Sequence, residues 1–214
     1  MSTFQGVIAG EGKTVTVSNP ATRLILSGSN THTGATTVIQ GILQVTNAGA
    51  LGTAAAGTDV QSGGTLALGG AGHISIGAEA LSIQGAGTHG TGALSNLFGD
   101  NSWGGPVSLL ADATLSVSAG RLALNGGLTN NSAGAGHILT KIGRGSLVIG
   151  GPQSWGPGSV FQIGDSGTGG GSPEYVGDSS PNSVPEPATL AMLAAGGLCL
   201  LAHAWRRRER VCHS

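Results

Sequence analysis

The acidic and histidine side chains are the groups in this chain that could do chemistry. Glycoside hydrolases and related enzymes need paired carboxylates or a base held beside a bound metal. The acidic residues before position 165 are far apart, and only Asp100 and Asp112 could be brought together by stacking of neighbouring segments. The full set is Glu11, Asp59, Glu79, Asp100 and Asp112. The spacing therefore favours no catalytic pair.

The histidines and tryptophans of the same region are also dispersed. Isolated surface imidazoles explain the histidines better than a metal site does, and these residues are His32, His73, His89 and His137. Trp103 and Trp155 lie in the glycine-flanked stretches NSWGG and QSWGPG. We expect each indole to cover an apolar edge of the fold rather than to stack on a sugar.

The glycine-rich motifs fail the tests for nucleotide and calcium binding. Residues 85–90 (GAGTHG) match G-x-G-x-x-G, but the TGALSN that follows does not continue as an amphipathic helix. In GEGKT (10–14), Val7 stands where a phosphate loop requires its first glycine. In GGAGHISIG (69–77), Ile74 stands where a calcium-binding repeat requires aspartate. The sequence therefore predicts no catalytic, cofactor-binding or metal-binding residue, and no enzyme.

Composition narrows the class of protein. Glycine accounts for 41 of 214 residues and charged residues for 9 %, which is too few charges for an ordinary disordered chain. The net charge is −1, and four of the nine basic residues lie between Arg206 and Arg210. The rest of the chain has no basic patch, which argues against a nucleic-acid partner. Both cysteines, Cys199 and Cys212, lie near the C-terminus, so the body has no disulfide framework.

The sequence segments that contain these residues have the pattern of short β-strands. Runs such as KTVTVS (13–18), TTVIQGILQVT (36–46) and VSLLADATLSV (107–117) alternate apolar and small polar residues, with Gly, Asn or Ser at their ends. Helical spacing is scarce, and ALSNLFG (93–99) is expected to form a loop or a helical turn. The pattern predicts an all-β fold, either an antiparallel sandwich or a coiled parallel solenoid.

An internal repeat favours the solenoid. LILSGSNTHTGATTVIQG (24–41) aligns with LVIGGPQSWGPGSVFQIG (147–164) at an offset of 123, so that Leu24 meets Leu147. The first copy, extended to Val45, resembles the autotransporter-associated β-strand repeat, with His32 where that family prefers tyrosine. The resemblance implies a right-handed parallel β-helix over residues 1–164. Roughly 20 residues per coil would give about eight coils.

The first residues, FQGVIAGEG, resemble the middle of such a repeat rather than a cap, and no secretory signal precedes them. Either the protein begins at this point or the sequence is a fragment. We expect a fragment that lacks an upstream signal peptide.

The C-terminal fifth of the chain has a different composition. Residues 165–183 are rich in Gly, Ser and Pro, which predicts a flexible linker. An 18-residue apolar run at 188–205 is followed by a basic cluster at 206–210. As a helix the run would span about 27 Å, just short of the roughly 30 Å hydrocarbon core. We expect one transmembrane helix, and the arginines place its C-terminal end in the cytoplasm.

This tripartite tail (184–210) resembles the PEP-CTERM sorting signal. The motif residues would be Val184, Pro185, Glu186 and Pro187, and the basic stop would be Arg206, Arg207, Arg208 and Arg210. The resemblance implies cleavage by an exosortase at the inner membrane of a Gram-negative bacterium. We therefore expect a non-enzymatic protein of the cell surface or extracellular matrix, with extracellular polysaccharide as a candidate partner. The alternatives are a permanently tail-anchored membrane protein and a carbohydrate-active β-helix enzyme.

Overall fold

The computed structural model describes residues 1–164, except 71, 131 and 133, together with the backbone of a strand at 175–177. Within these residues the chain is all-β, and its only helical element is a 3-10 turn at Thr88–Gly90. The strands are β1 Ser2–Phe4, β2 Val15–Leu26, β3 Thr36–Val45, β4 Thr58–Leu68, β5 Ser75–Ile76, β6 Leu81–Gly85, β7 Leu94–Asn96, β8 Asp100–Trp103, β9 Val107–Val117, β10 Arg121–Leu124, β11 Leu128–Asn130, β12 Ile138–Ile142, β13 Ser146–Ile149, β14 Gln153–Trp155, β15 Val160–Ile163 and β16 Tyr175–Gly177.

The strands form a parallel β-solenoid. Each strand pairs in parallel with strands one turn earlier or later, as β2 does with β1 and β3. The chain makes about seven turns. This confirms the solenoid and excludes the antiparallel sandwich. The expected eight coils were too many, because successive turns range from 19 residues (Leu24 to Leu43) to 28 residues (Leu66 to Leu94).

From β4 onwards each turn contributes strands to three faces, whereas the earlier turns contribute strands to the first two faces only. The first face contains the N-terminal halves of β2, β3, β4 and β9 with β6, β11 and β14. The second face contains the C-terminal halves of those long strands with β1, β7, β12 and β15. These two faces form one 11-stranded sheet, and the third face is a five-stranded sheet of β5, β8, β10, β13 and β16.

The core follows from the period-2 pattern of the strands. On the second face, parallel register stacks one inward residue per turn into a leucine ladder, which consists of Leu24, Leu43, Leu66, Leu94 and Leu115. The last four are fully buried. Burial of a leucine side chain stabilises a fold by about 1.5–3 kcal/mol, so the ladder is a major source of cohesion between turns.

Glycine is required where the first face bends into the second. Gly41 has φ +84°, and a Cβ there would overlap the carbonyl oxygen of Asn19 in the preceding turn. Only glycine combines this backbone conformation with such close stacking. The high glycine content is therefore partly a consequence of the sharp corners.

Two expectations about local structure were wrong. Residues 94–96 form strand β7, not a loop or helical turn, because they pair with β4 and β9 on the second face. The two aligned repeat copies are also not equivalent. Leu24 stacks on Leu43 on the second face, whereas Leu147 stacks on Leu122 on the third face.

Candidate functional site

The residues of the expected sorting motif and basic stop lie outside the described residues. The same is true of the expected transmembrane run at 188–205 and of the side chains of the linker. In the part of the chain that the structure describes, no helix is long and apolar enough to cross a membrane.

The acidic side chains of the body are not brought together. Asp100 lies at the start of β8 on the third face, beside Arg121 of the next turn. Asp112 lies in β9 between the first and second faces, where its Oδ1 accepts a hydrogen bond of 2.8 Å from the backbone N–H of Ile138. Asp59 points outward from the first face, and Gln61 donates to it. This arrangement gives no paired carboxylates for acid–base chemistry.

Glu79 is the one acidic residue of this set that is buried, with 4 % of its surface exposed. Its Oε1 accepts a hydrogen bond of 2.9 Å from the Thr58 hydroxyl. Burial raises the pKa of the Glu79 carboxyl, and the Thr58 hydrogen bond offsets part of that rise. A Cβ on Gly105 would overlap the Glu79 carbonyl, so the next turn packs directly against the Glu79 backbone. We interpret Glu79 as a structural corner residue, because the closed packing leaves no room for a substrate.

Trp103 lies against the same corner. Its indole is fully buried, and Nε1 donates a hydrogen bond of 2.7 Å to the carbonyl oxygen of Glu79. Trp155 is half-buried and packs against the apolar core. The interpretation of both indoles as cover for apolar structure is confirmed.

The histidines divide into two groups. His73 and His89 are exposed, as expected, whereas His137 is half-buried and His32 is fully buried. The Nε2 of His32 lies 3.2 Å from the Thr36 hydroxyl, which in turn donates to the carbonyl oxygen of Leu51. The Nδ1 of His32 is buried without a protein partner. The prediction that His32 is a surface imidazole was wrong, because the turn after β2 folds inward.

No group of three or more His, Cys, Asp or Glu side chains within the described residues could hold a metal ion. The glycine motif at 85–90 forms the loop between β6 and β7. The Thr88 hydroxyl of this loop reaches back to the carbonyl oxygens of Gly41 and Gly63, at 2.8 and 2.9 Å. The Thr88 side chain therefore links this loop to the backbone of two earlier turns.

Sequence reasoning missed Lys141. Parallel register continues the leucine ladder from Leu115 to Lys141, whose side chain is 1 % exposed. Its Nζ donates a hydrogen bond of 2.6 Å to the carbonyl oxygen of Gly143, and burial lowers the pKa of the ammonium group. The alternation in ILTKI (138–142) was a usable signal, because it places Lys141 in phase with the buried Leu139.

Buried asparagines form a second polar feature that the sequence did not single out. The Nδ2 of Asn101 donates to Oδ1 of Asn96, and Oδ1 of Asn101 accepts a hydrogen bond of 2.7 Å from the N–H of Ile74. Asn130 exchanges two hydrogen bonds with the backbone of His137, at 2.8 and 2.7 Å. These amides satisfy backbone groups at corners where the strand ladder is interrupted.

Comparison with known families assigns two segments of the chain. Residues 21–45, one full turn from the second half of β2 through β3, match the passenger-associated-transport-repeat. No curated protein and no solved structure is detectably similar to the chain. Residues 183–208 match the PEP-CTERM protein-sorting motif, which implies export to the cell envelope and processing by an exosortase. The chain thus combines a solenoid that contains a passenger-type repeat with a PEP-CTERM sorting signal.

Proposed function

We propose that the chain is a non-enzymatic protein of the cell surface or extracellular matrix. Its right-handed solenoid body (1–164) is followed by a Gly/Ser/Pro-rich linker (165–183) and a removable sorting signal (184–210). Within the linker, Tyr175–Gly177 adds strand β16 to the third face of the solenoid, so this part of the linker is not expected to be flexible. The match of residues 183–208 to the sorting motif carries this proposal. The dispersed acidic residues and the structural role of Glu79 support a body without catalytic function.

In this proposal the apolar run at 188–205 holds the protein in the inner membrane after export. The arginine cluster stays in the cytoplasm and stops further transfer. The exosortase then recognises Val184–Pro187, cuts nearby, and releases the body to the surface. Val184, Pro185, Glu186 and Pro187 act as substrate features and have no catalytic role.

Substitution of the motif tests this proposal in the native host. The double variant Pro185→Ala/Glu186→Ala should accumulate at full length in the membrane fraction and disappear from the surface fraction. The linker supplies a matched control, because Pro173 and Glu174 form the same dipeptide outside the motif. Pro173→Ala/Glu174→Ala should be processed normally. Equal processing of both variants would contradict exosortase recognition and favour a permanent tail anchor.

A further inference from the structure

Asn125 and Gly126 lie at the corner between β10 on the third face and β11 on the first face. Asn125 is exposed, and within the part of the chain that the structure describes its side-chain amide has no hydrogen-bond partner. Gly126 follows it directly, and the sequence contains no other Asn–Gly pair. The corner therefore presents an unbonded amide beside a residue that has no side chain.

The other asparagines among the described residues differ from Asn125. The side-chain amide of each takes part in a hydrogen bond, and the next residue in the sequence is never glycine. These residues are Asn19, Asn30, Asn47, Asn96, Asn101 and Asn130. An unbonded amide and a following glycine therefore coincide only at Asn125 within the described part of the chain.

The backbone N–H of Gly126 is the second reactive group at this corner. Among the described residues it has no acceptor, whereas the N–H of Asn125 donates to the carbonyl oxygen of Trp103 at 2.8 Å. Further along the corner, the N–H of Leu128 donates to the carbonyl oxygen of Pro152 at 3.0 Å. No hydrogen bond to another protein group therefore has to break before the Gly126 nitrogen turns toward the Asn125 side chain. The absence of a Cβ on Gly126 also leaves this approach open.

We propose that Asn125–Gly126 is a site of spontaneous backbone modification through a cyclic imide. The Gly126 nitrogen loses its proton to solvent base and forms a bond to Cγ of Asn125. The side-chain amide nitrogen takes up a proton and leaves as ammonia. Water then adds to one of the two imide carbonyls and breaks its C–N bond. Opening at Cγ gives aspartate, whereas opening at the main-chain carbonyl gives isoaspartate, in which the chain runs through Cβ and Cγ of residue 125.

The two products have different consequences for the solenoid. A Cβ on Gly126 would overlap the carbonyl oxygen of Gly105 in the preceding turn, so the corner is closely packed. Isoaspartate lengthens the backbone by one carbon at this point. Because β10 and β11 each pair with a strand on either side, the extra atom shifts the register of the third face against the first. Aspartate keeps the backbone length and adds one negative charge.

Ageing of the purified full-length protein in mild detergent, at mildly alkaline pH, tests the site. Trypsin releases residues 122–141 as one peptide, because Arg121 and Lys141 flank it and no other lysine or arginine intervenes. Fragmentation of this peptide by mass spectrometry separates changes at Asn125 from changes at Asn130. Labelling by an isoaspartyl methyltransferase identifies isoaspartate. The same chain in guanidinium chloride gives the rate without folded structure.

Two variants serve as controls, and circular dichroism verifies that both are folded. Asn125→Gln would need a six-membered ring, which forms far more slowly, so its peptide should stay unmodified. Asn125→Asp carries the new charge on a normal backbone. Aged wild-type protein that is enriched in isoaspartate should unfold at a lower guanidinium concentration than Asn125→Asp. Equal midpoints would contradict the loss of register.

We expect Asn125 to convert before Asn130, with isoaspartate among the products. Its rate in the folded protein should lie within about tenfold of its rate in denaturant, because an exposed turn opens at little cost in free energy. The reaction should be slower at mildly acidic pH, where the Gly126 nitrogen keeps its proton. Conversion in denaturant but not in the folded protein would overturn the proposal, since the packing of Gly126 on Gly105 would then prevent the attack. Aspartate without isoaspartate would overturn the cyclic imide and indicate direct hydrolysis.

Discussion

The second face is built differently in its early and late turns. In β2, β3 and β4 its inward residues are all aliphatic, and strands of 10–12 residues span the first and second faces without interruption. In later turns Asn96 and Lys141 occupy inward positions. In these turns the first and second faces contain separate short strands, and only β9 spans both faces. The family match at 21–45 falls in the early part. The solenoid therefore tolerates polar interior residues where short, interrupted strands leave backbone groups that can bind them.

The largest change in stability is expected when a lysine is placed in the regular part of the leucine ladder. Leu66→Lys should lower the free energy of unfolding by more than about 4 kcal/mol, because Leu66 is fully buried within the continuous strand β4. Urea melts of the full chain measure the change. Leu66→Met is the control and should cost less than about 1.5 kcal/mol. A small loss of stability in Leu66→Lys would mean that the early turns tolerate a buried lysine as well as the late turns do.

The reverse substitution is the second test. Lys141→Leu should raise the free energy of unfolding by about 1–3 kcal/mol, because it continues the leucine ladder and removes a buried ammonium group. Lys141→Met, which has a similar unbranched shape, should have the same sign. A loss of stability in both variants would show that the bond from Lys141 to the Gly143 carbonyl outweighs its desolvation.

The third test concerns the Trp103 corner. Trp103→Phe should lower the free energy of unfolding by about 1–3 kcal/mol, since it removes the bond to the Glu79 carbonyl and leaves part of the indole volume empty. Trp155→Phe, at a half-buried site, should cost less. Equal costs at the two sites would contradict the difference in burial.

The smallest expected effect is the pH dependence at Glu79. Because burial raises the pKa of Glu79 above 4.5, the folded state holds its proton more tightly than the unfolded chain does. The contribution of Glu79 to stability is present below pH 4.5 and is lost as the pH rises through the folded pKa. Glu79→Gln should flatten this part of the stability–pH profile. A profile that keeps its slope in Glu79→Gln would contradict this account.

The sequence predicted the fold where residue types alternate regularly. Period-2 runs with glycine between them identified the all-β solenoid, and the best repeat copy coincides with the turn that matches the repeat family. Leu24 and Leu147 are not structurally equivalent, because the turns differ in length. Two residues separated by a fixed number of positions can therefore lie on different faces of the solenoid. β7 was missed because three residues that include Ser95 and Asn96 carry almost no strand signal.

The buried polar residues were beyond residue-type reasoning for a related cause. His32 and Glu79 lie in loops between strands, where no alternation marks the inward side, and only the folded structure shows that they are buried. Lys141 was missed although the alternation in ILTKI places it in phase with the buried Leu139. The sorting motif needed no three-dimensional information, because its parts are contiguous in the sequence.

Mass spectrometry of the C-terminus, on protein from the surface fraction of the native host, tests directly whether the sorting signal is removed. Exosortase processing should give a C-terminus near Val184–Pro187 and no peptide from Ala188 onward. An intact tail that ends at Ser214, found only in the membrane fraction, would contradict processing and leave a membrane-anchored solenoid.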